Sequence, residues 1–349
     1  MTKVKPTPCP PPQTYRILDN GWRQWIAENR LRDCTPQSML ATMVAEGLSP
    51  QESHFAISQI ESDPIFLAAR EHQKLLRKLE SVVTNQQCLW ETDPHYAIIE
   101  KRETIPPDEF VERYVRGCRP VVLTGITADW PAMRRWSPDF LKRSFGNLTV
   151  EIQAERSADG RYEENKSQHR RMQRLGDFVD RVLSGGPTND YYMTANNEVL
   201  RQPEFSHLLD DIGTLPEICD RSQLSRLSSV WFGPSGTVTP LHHDALMLFH
   251  TQVVGRKRWR FISPLDIPNL YNFNGVFSPI DVDKPDLARF PLFARTKMLE
   301  VVVEPGETIF LPLAWWHHVT SLDVCISFSY SNLRVPNHFQ YANPTMSHW

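Results

Sequence analysis

The sequence predicts a mainly β fold, a jelly roll with flanking helices, preceded by a small N-terminal helical domain. Three observations carry this. Short β-branched runs separated by Pro, Gly, Asp and Asn recur through the later part of the chain. Twenty-eight prolines, about 8% where ~5% is usual, suit many turns and disfavour a mostly helical protein. The character of the chain changes near residue 95, with helical spacing of apolar residues before it.

The elements follow in order. Residues 1–12 are Pro-rich and expected to be disordered, and 13–95 form a helical region and linker. Thr35-Pro36 caps and starts one helix, which Gly47 ends. Ser49-Pro50-Gln51-Glu52 has a capping-box pattern opening a second. A third, from Pro64 to Val83, carries Leu75, Leu76, Leu79, Val82 and Val83 at helical spacing. This region reads as a small bundle packed on the following domain, or alternatively as a dimerisation or peptide-docking module. Residues 96–332 form the jelly-roll domain, entered through a helix start at Ile105–Phe110. Its predicted strands include 120–123, 228–232, 259–262, 300–303, 308–311 and 324–330. Residues 333–349 are a C-terminal tail.

Composition narrows the function. A net charge of −3 and a pI near 6.5 give no global electrostatic case for nucleic acid or an anionic membrane, so neither partner is expected. The basic run Arg170, Arg171 and Arg174 reads as a solvated surface. No segment has the roughly 18–20 apolar residues needed to span a bilayer, and the start lacks a signal-peptide apolar core, so the cytoplasm is the expected location. Six cysteines without Cys-x-x-Cys pairs indicate neither a disulfide framework nor a zinc module.

The chemistry-bearing feature is His242 and Asp244, inside Thr239-Pro-Leu-His-His-Asp244, with His317, inside Pro312-Leu-Ala-Trp-Trp-His317. On a strand, residues i and i+2 share a face, so His242 and Asp244 can chelate together while His243 points away. Two imidazoles and a carboxylate form the facial set that holds a non-heme Fe(II) with coordination positions left open. A bare His-x-Asp pair also suits a surface pair or a satisfied hydrogen-bonded pair.

The flanking sequence resembles the JmjC-type cupin hydroxylases over most of residues 105–332. The matching stretches are Arg119-Pro-Val-Val-Leu-Thr-Gly125, Trp231-Phe-Gly-Pro-Ser-Gly-Thr-Val-Thr-Pro-Leu-His-His-Asp244, Gln252-Val-Val-Gly-Arg-Lys257, Asp281-Val-Asp-Lys-Pro-Asp286 and Glu304-Pro-Gly-Glu-Thr-Ile-Phe-Leu-Pro-Leu-Ala-Trp-Trp-His317. They come in the family's order with similar spacing. The resemblance implies a double-stranded β-helix of the cupin type and an Fe(II)-dependent dioxygenase. It also implies 2-oxoglutarate as cosubstrate, O2 as oxidant, and hydroxylation of an amino-acid side chain in a protein or peptide. Its ligand position, the fifth residue after Pro312, selects His317 over His318. Lys257 occupies the family's lysine position for the distal carboxylate of 2-oxoglutarate, Thr239 its hydroxyl position, and Tyr192 its tyrosine.

Other readings stay open: a hydroxylase of a free or carrier-bound small molecule, or a non-catalytic metal-binding cupin. Lysine demethylation shares the oxidant, although no zinc-binding cysteines or reader module accompany the site. A homodimer through the helical region is a further expectation. The chain departs from several protein hydroxylases of this type at Leu248, where they have Asn, and at Ser331 and Asn332, where relatives often have Trp. His250, six residues after Asp244, reads as a satisfied inward polar group.

Overall fold

A computed structural model describes residues 14–195, 197–272 and 275–337. The Pro-rich start and residues 338–349 of the tail lie outside the described residues. The chain divides into two compact units, Met1–Asn85 and Gln86–Trp349.

In the first unit, helix α1 (Asn20–Leu31) is capped by Asp19, whose carboxylate accepts from the Trp22 amide. Thr35 caps α2 (Pro36–Ala45), and Ser49 caps α3 (Pro50–Ser62) by accepting from the Glu52 amide. In each a proline occupies the first turn, where its missing N–H costs nothing. Gly47 follows α2 at φ +87°, a left-handed conformation that glycine adopts without strain. Ile26, Met39, Met43, Leu48, Ala56 and Ile57 form the core. Helix α4 runs over Pro64–Trp90, beyond the expected Val83, because no Gly or Pro interrupts Thr84–Glu91. Its apolar row is not a bundle core. Leu75, Leu76, Leu79 and Val82 are each more than half exposed, which corrects the bundle reading for that helix.

The second unit carries the β-structure. A six-stranded sheet has the order β1-β2-β10-β7-β12-β5, formed by β1 (Glu100–Arg102), β2 (Val121–Leu123), β5 (Ser228–Gly233), β7 (Leu248–Val254), β10 (Thr308–Leu311) and β12 (Cys325–Tyr330). A four-stranded sheet has the order β6-β11-β8-β9, from β6 (Val238–His242), β8 (Lys257–Ile262), β9 (Met298–Val303) and β11 (Trp316–Ser321). Apart from the β1–β2 pair, both sheets are antiparallel. A two-stranded ribbon, β3 (Thr149–Gln153) and β4 (Arg170–Arg174), stands beside them. In the ribbon Arg170 and Arg171 pair with Glu151 and Glu155 at the surface.

One apolar cluster joins Val122, Ile309 and Leu311 of the large sheet to Trp259, Phe261 and Val319 of the small one, filling part of the space between the sheets. A larger cluster covers the large sheet's other face, where Phe249 stacks on Tyr330 at 5.1 Å and packs on Phe110 and Phe310. This two-sheet arrangement is the predicted jelly roll of the cupin type. It leaves one end of the sandwich to carry polar side chains on rigid strands. Among the described residues no helix is long and apolar enough to cross a membrane.

Candidate metal centre

Strands β6 and β11 pair antiparallel with His242 directly opposite His317. Asp244 lies just past the end of β6, where the Ala314 amide donates to its carbonyl at 3.3 Å. His242, Asp244 and His317 each place a ligand atom so that all three lie within 4.8 Å of one another. The Asp244 Oδ2 is 3.7 Å from His317 Nε2.

Both imidazoles are held in one tautomer. His242 Nδ1 is 2.8 Å from the Pro240 carbonyl, and His317 Nδ1 is 2.9 Å from the Trp315 carbonyl. A carbonyl oxygen only accepts, so each Nδ1 carries a proton and each Nε2 is the nitrogen left to offer a lone pair to a metal. Burial drives the His317 imidazole well below its usual range, with the nearby His242 reinforcing the effect, and so keeps the ring neutral. Burial raises the Asp244 carboxyl, while His242 opposes that shift. A cation among the three groups would supply the counter-charge that burial withholds. Two imidazoles and one carboxylate are the donor set that suits Fe(II), so the residues present fit the metal their sequence pattern implies.

The neighbouring histidines face elsewhere. His243 packs edge-on against Trp316 at 4.6 Å, and burial depresses its imidazole to about 4. His318 Nε2 lies 4.0 Å from Asp283.

A bulge in the β6–β11 pairing sets which residue Thr239 faces. His317 faces His242, whereas the next inward residue of β11, Val319, faces Thr239. Three steps on one strand therefore match two on the other, and Thr239 and His242 both pair with residues of the interior face. Lys257, at the start of β8, is 1% exposed. Its Nζ donates to the Tyr192 hydroxyl at 3.0 Å and lies 3.3 Å from His250 Nε2 and 5.4 Å from the Trp231 ring. No carboxylate lies within ion-pairing distance of it among the described residues. The structure thus joins Lys257 to Tyr192. A buried ammonium without an acid is costly unless an anion completes it. Trp259 connects this end to the histidines, 5.0 Å from the His250 ring and 5.7 Å from His317.

Sequence reasoning missed Arg156, which is fully buried. Its Nη2 donates to the Val238 carbonyl at 2.7 Å and to Glu163 at 3.0 Å, and its guanidinium sits 4.3 Å over Tyr162 and 5.4 Å from the Tyr192 ring centre. The Tyr162 hydroxyl donates to the same Val238 carbonyl at 2.9 Å. Gln153 pairs with Tyr192 through both backbone bonds. One excursion, residues 153–163, thereby braces Tyr192 and the residue preceding Thr239. No local motif marks this, because a lone arginine in a polar stretch usually reads as surface.

Residues 106–332 match the cupin-like domain family. The chain is 35% identical over 224 residues to Lysine-specific demethylase 8 of Danio rerio, covering 61% of this chain and 52% of that protein. It is 31% identical over 244 residues to Lysine-specific demethylase JMJ30 of Arabidopsis thaliana, covering 66% and 54%. It is 28% identical over 227 residues to tRNA wybutosine-synthesizing protein 5 of Gallus gallus, covering 60% and 70%. The chain spans about half the length of the two demethylases. With the matched region taking in every strand of the two sheets except β1 and every residue of the centre, the chain belongs to the cupin-like domain family, in keeping with the JmjC-type motifs of its sequence.

Proposed function

We propose that this chain is an Fe(II)- and 2-oxoglutarate-dependent dioxygenase that hydroxylates an amino-acid side chain in a protein or peptide. The observation that carries the reading is the convergence of His242, Asp244 and His317 on one point between paired strands. The buried ammonium of Lys257 within the same sandwich supports it.

Each residue has a task in this reading. His242 and His317 offer Nε2 lone pairs, and their Nδ1–H bonds to backbone carbonyls fix the ring planes. Asp244 adds the negative charge. Iron, once bound with 2-oxoglutarate and O2, supplies the redox chemistry: oxidative decarboxylation to succinate and CO2 leaves one oxygen atom for insertion into a substrate C–H bond. Lys257 neutralises the distal carboxylate of the cosubstrate, with Tyr192 and Thr239 as hydroxyl partners. Trp231 and Trp259 keep water from the buried end, where each charge interaction gains strength.

Mixed peptides from a cell extract, incubated with the full-length protein, test this. Succinate formation coupled to the gain of one oxygen in a peptide is expected. Protein that holds iron and 2-oxoglutarate yet turns over no peptide would contradict the protein-substrate reading, and turnover of a small molecule would favour the biosynthetic alternative.

A second reading has support in the names of two relatives, both lysine-specific demethylases. Hydroxylation of an N-methyl carbon gives an unstable product that releases formaldehyde, so formaldehyde from methyl-lysine peptides would favour it. The net charge argues against nucleic acid, but one relative is named for tRNA wybutosine synthesis. The expected absence of a nucleic-acid partner is therefore not kept, and RNA belongs among the substrates tested.

A further inference from the structure

Along α4, Ile65, Ala68, His72, Leu75, Leu79 and Val82 follow one another at alternating spacings of three and four. That is the spacing of a two-helix seam, in which slight underwinding keeps the row turned toward a partner helix. All six positions are exposed, Ile65 to 81% and Leu75, Leu79 and Val82 to more than half. Leu76, which flanks the row, is 55% exposed as well. An apolar row of this length facing water marks an interaction surface.

We propose that α4 pairs with α4 of a second copy of this chain, antiparallel, about a two-fold axis near Gln73 and Lys74. The argument for a second copy is self-complementarity. Turned end for end, the row sets Ile65 against the partner's Val82, Ala68 against the partner's Leu79 and His72 against the partner's Leu75. Ala68 then meets the larger Leu79, β-branched side chains meet at the ends, and the single polar position lies at the centre. On one flank Glu71 comes opposite the partner's Lys78, and symmetry forms that pair twice. On the other, Ala69 meets the partner's Leu76.

A parallel pair has no such match. It would set Glu71 beside the partner's Leu76 and Lys78 beside the partner's Val83, leaving both charges against apolar groups. Within one chain Glu71 meets Lys74 at 2.5 Å, but both side chains are about two-thirds exposed or more, so the carboxylate is free to turn toward a second ammonium. Charges at such flanking positions set orientation more than affinity.

The test is the mass of the full-length protein in solution, by light scattering over a dilution series. The native chain is expected to be a dimer. Leu75→Glu/Leu79→Glu should be monomeric with unchanged helical circular dichroism. Glu71→Lys alone should weaken the dimer by placing like charges opposite each other, and Glu71→Lys/Lys78→Glu should restore it. Three results would overturn the proposal: a native chain that stays monomeric up to roughly 100 μM, a concentration that would detect even weak pairing; a dimer unaffected by the two leucine substitutions; or a double charge reversal as dissociated as the single one.

Discussion

His317 lies directly across β11 and β6 from His242, ring centroids 4.0 Å apart, and each ring fixes its Nδ1 on the carbonyl two residues before it. The symmetry of that arrangement separates His317 from its neighbour His318, whose ring turns to Asp283. His317→Ala is expected to lower Fe(II) affinity on the order of 100-fold or more, and His318→Ala by less than about threefold. Equilibrium metal titration checks this. Equal losses would mean that the strand presents the other histidine.

Lys257 should govern the cosubstrate and not the metal. Lys257→Ala is expected to raise the Kd for 2-oxoglutarate by roughly 30- to 100-fold, since an anion at that buried end would be left unpaired. Iron affinity should be unchanged. Lys257→Arg should not rescue it, because the space between Tyr192 and His250 fits a compact ammonium and not a planar fork. Tyr192→Phe, which removes one neutral hydrogen bond, should cost about three- to tenfold. Calorimetry on the iron-loaded protein reads all three.

Arg156 should act through the residues it braces. Arg156→Lys loses the planar guanidinium that lies over Tyr162 and beside Tyr192, so the KM for 2-oxoglutarate is expected to rise about tenfold with kcat changed less than about twofold. A variant that lowers kcat and leaves KM intact would contradict this positioning role. Glu163→Gln, which keeps the acceptor oxygen, should be milder.

How much of this was legible follows from the kind of signal each part carries. The strands announced themselves because β-branched runs between turn residues have few other uses: the run 308–311 is a strand with all four residues buried. The His-x-Asp spacing was legible because backbone alternation fixes it, although Asp244 sits just beyond the strand end. The bulge that sets Thr239 opposite Val319 was not, since it depends on how β6 registers with a strand far along the chain. Arg156 was hidden for the same reason: its partners, Val238 and Tyr192, are distant in sequence. The α4 row shows the opposite failure. Helical periodicity was read correctly, but periodicity says only that a face is apolar, and not whether the same chain covers it.

Away from the centre, burial pushes the Asp266 carboxyl up to about 6. Asn269 donates to it, and Gln87, whose Oε1 is buried without a partner, lies 3.4 Å away. A carboxyl raised in the folded state favours folding while protonated. Its contribution is therefore full below about 4 and lost as pH climbs through about 6. Asp266→Asn should remove that slope and give Gln87 a donor. The variant is expected to be more stable than the native protein by about 1–3 kcal/mol at pH 7.5, and nearly equal to it at pH 4. Urea unfolding at several pH values decides; a variant less stable at every pH would show that the ionised carboxylate is favourable there.

The core on the far side of the large sheet holds Phe249 of β7 among aromatic rings. Phe249→Ala would open a cavity among Phe110, Phe310 and Tyr330, and a loss of about 3–5 kcal/mol is expected from denaturant unfolding.

The central claim is that His242, Asp244 and His317 hold Fe(II) while Lys257 anchors 2-oxoglutarate beside it. Anaerobic addition of both to the native protein, Asp244→Ala and Lys257→Ala, followed by visible absorption, tests it without knowledge of the substrate. A charge-transfer band that forms in the native protein, is absent in Asp244→Ala and needs far more 2-oxoglutarate in Lys257→Ala is the expected result. Folded native protein that binds iron yet gives no band at any 2-oxoglutarate concentration would contradict it.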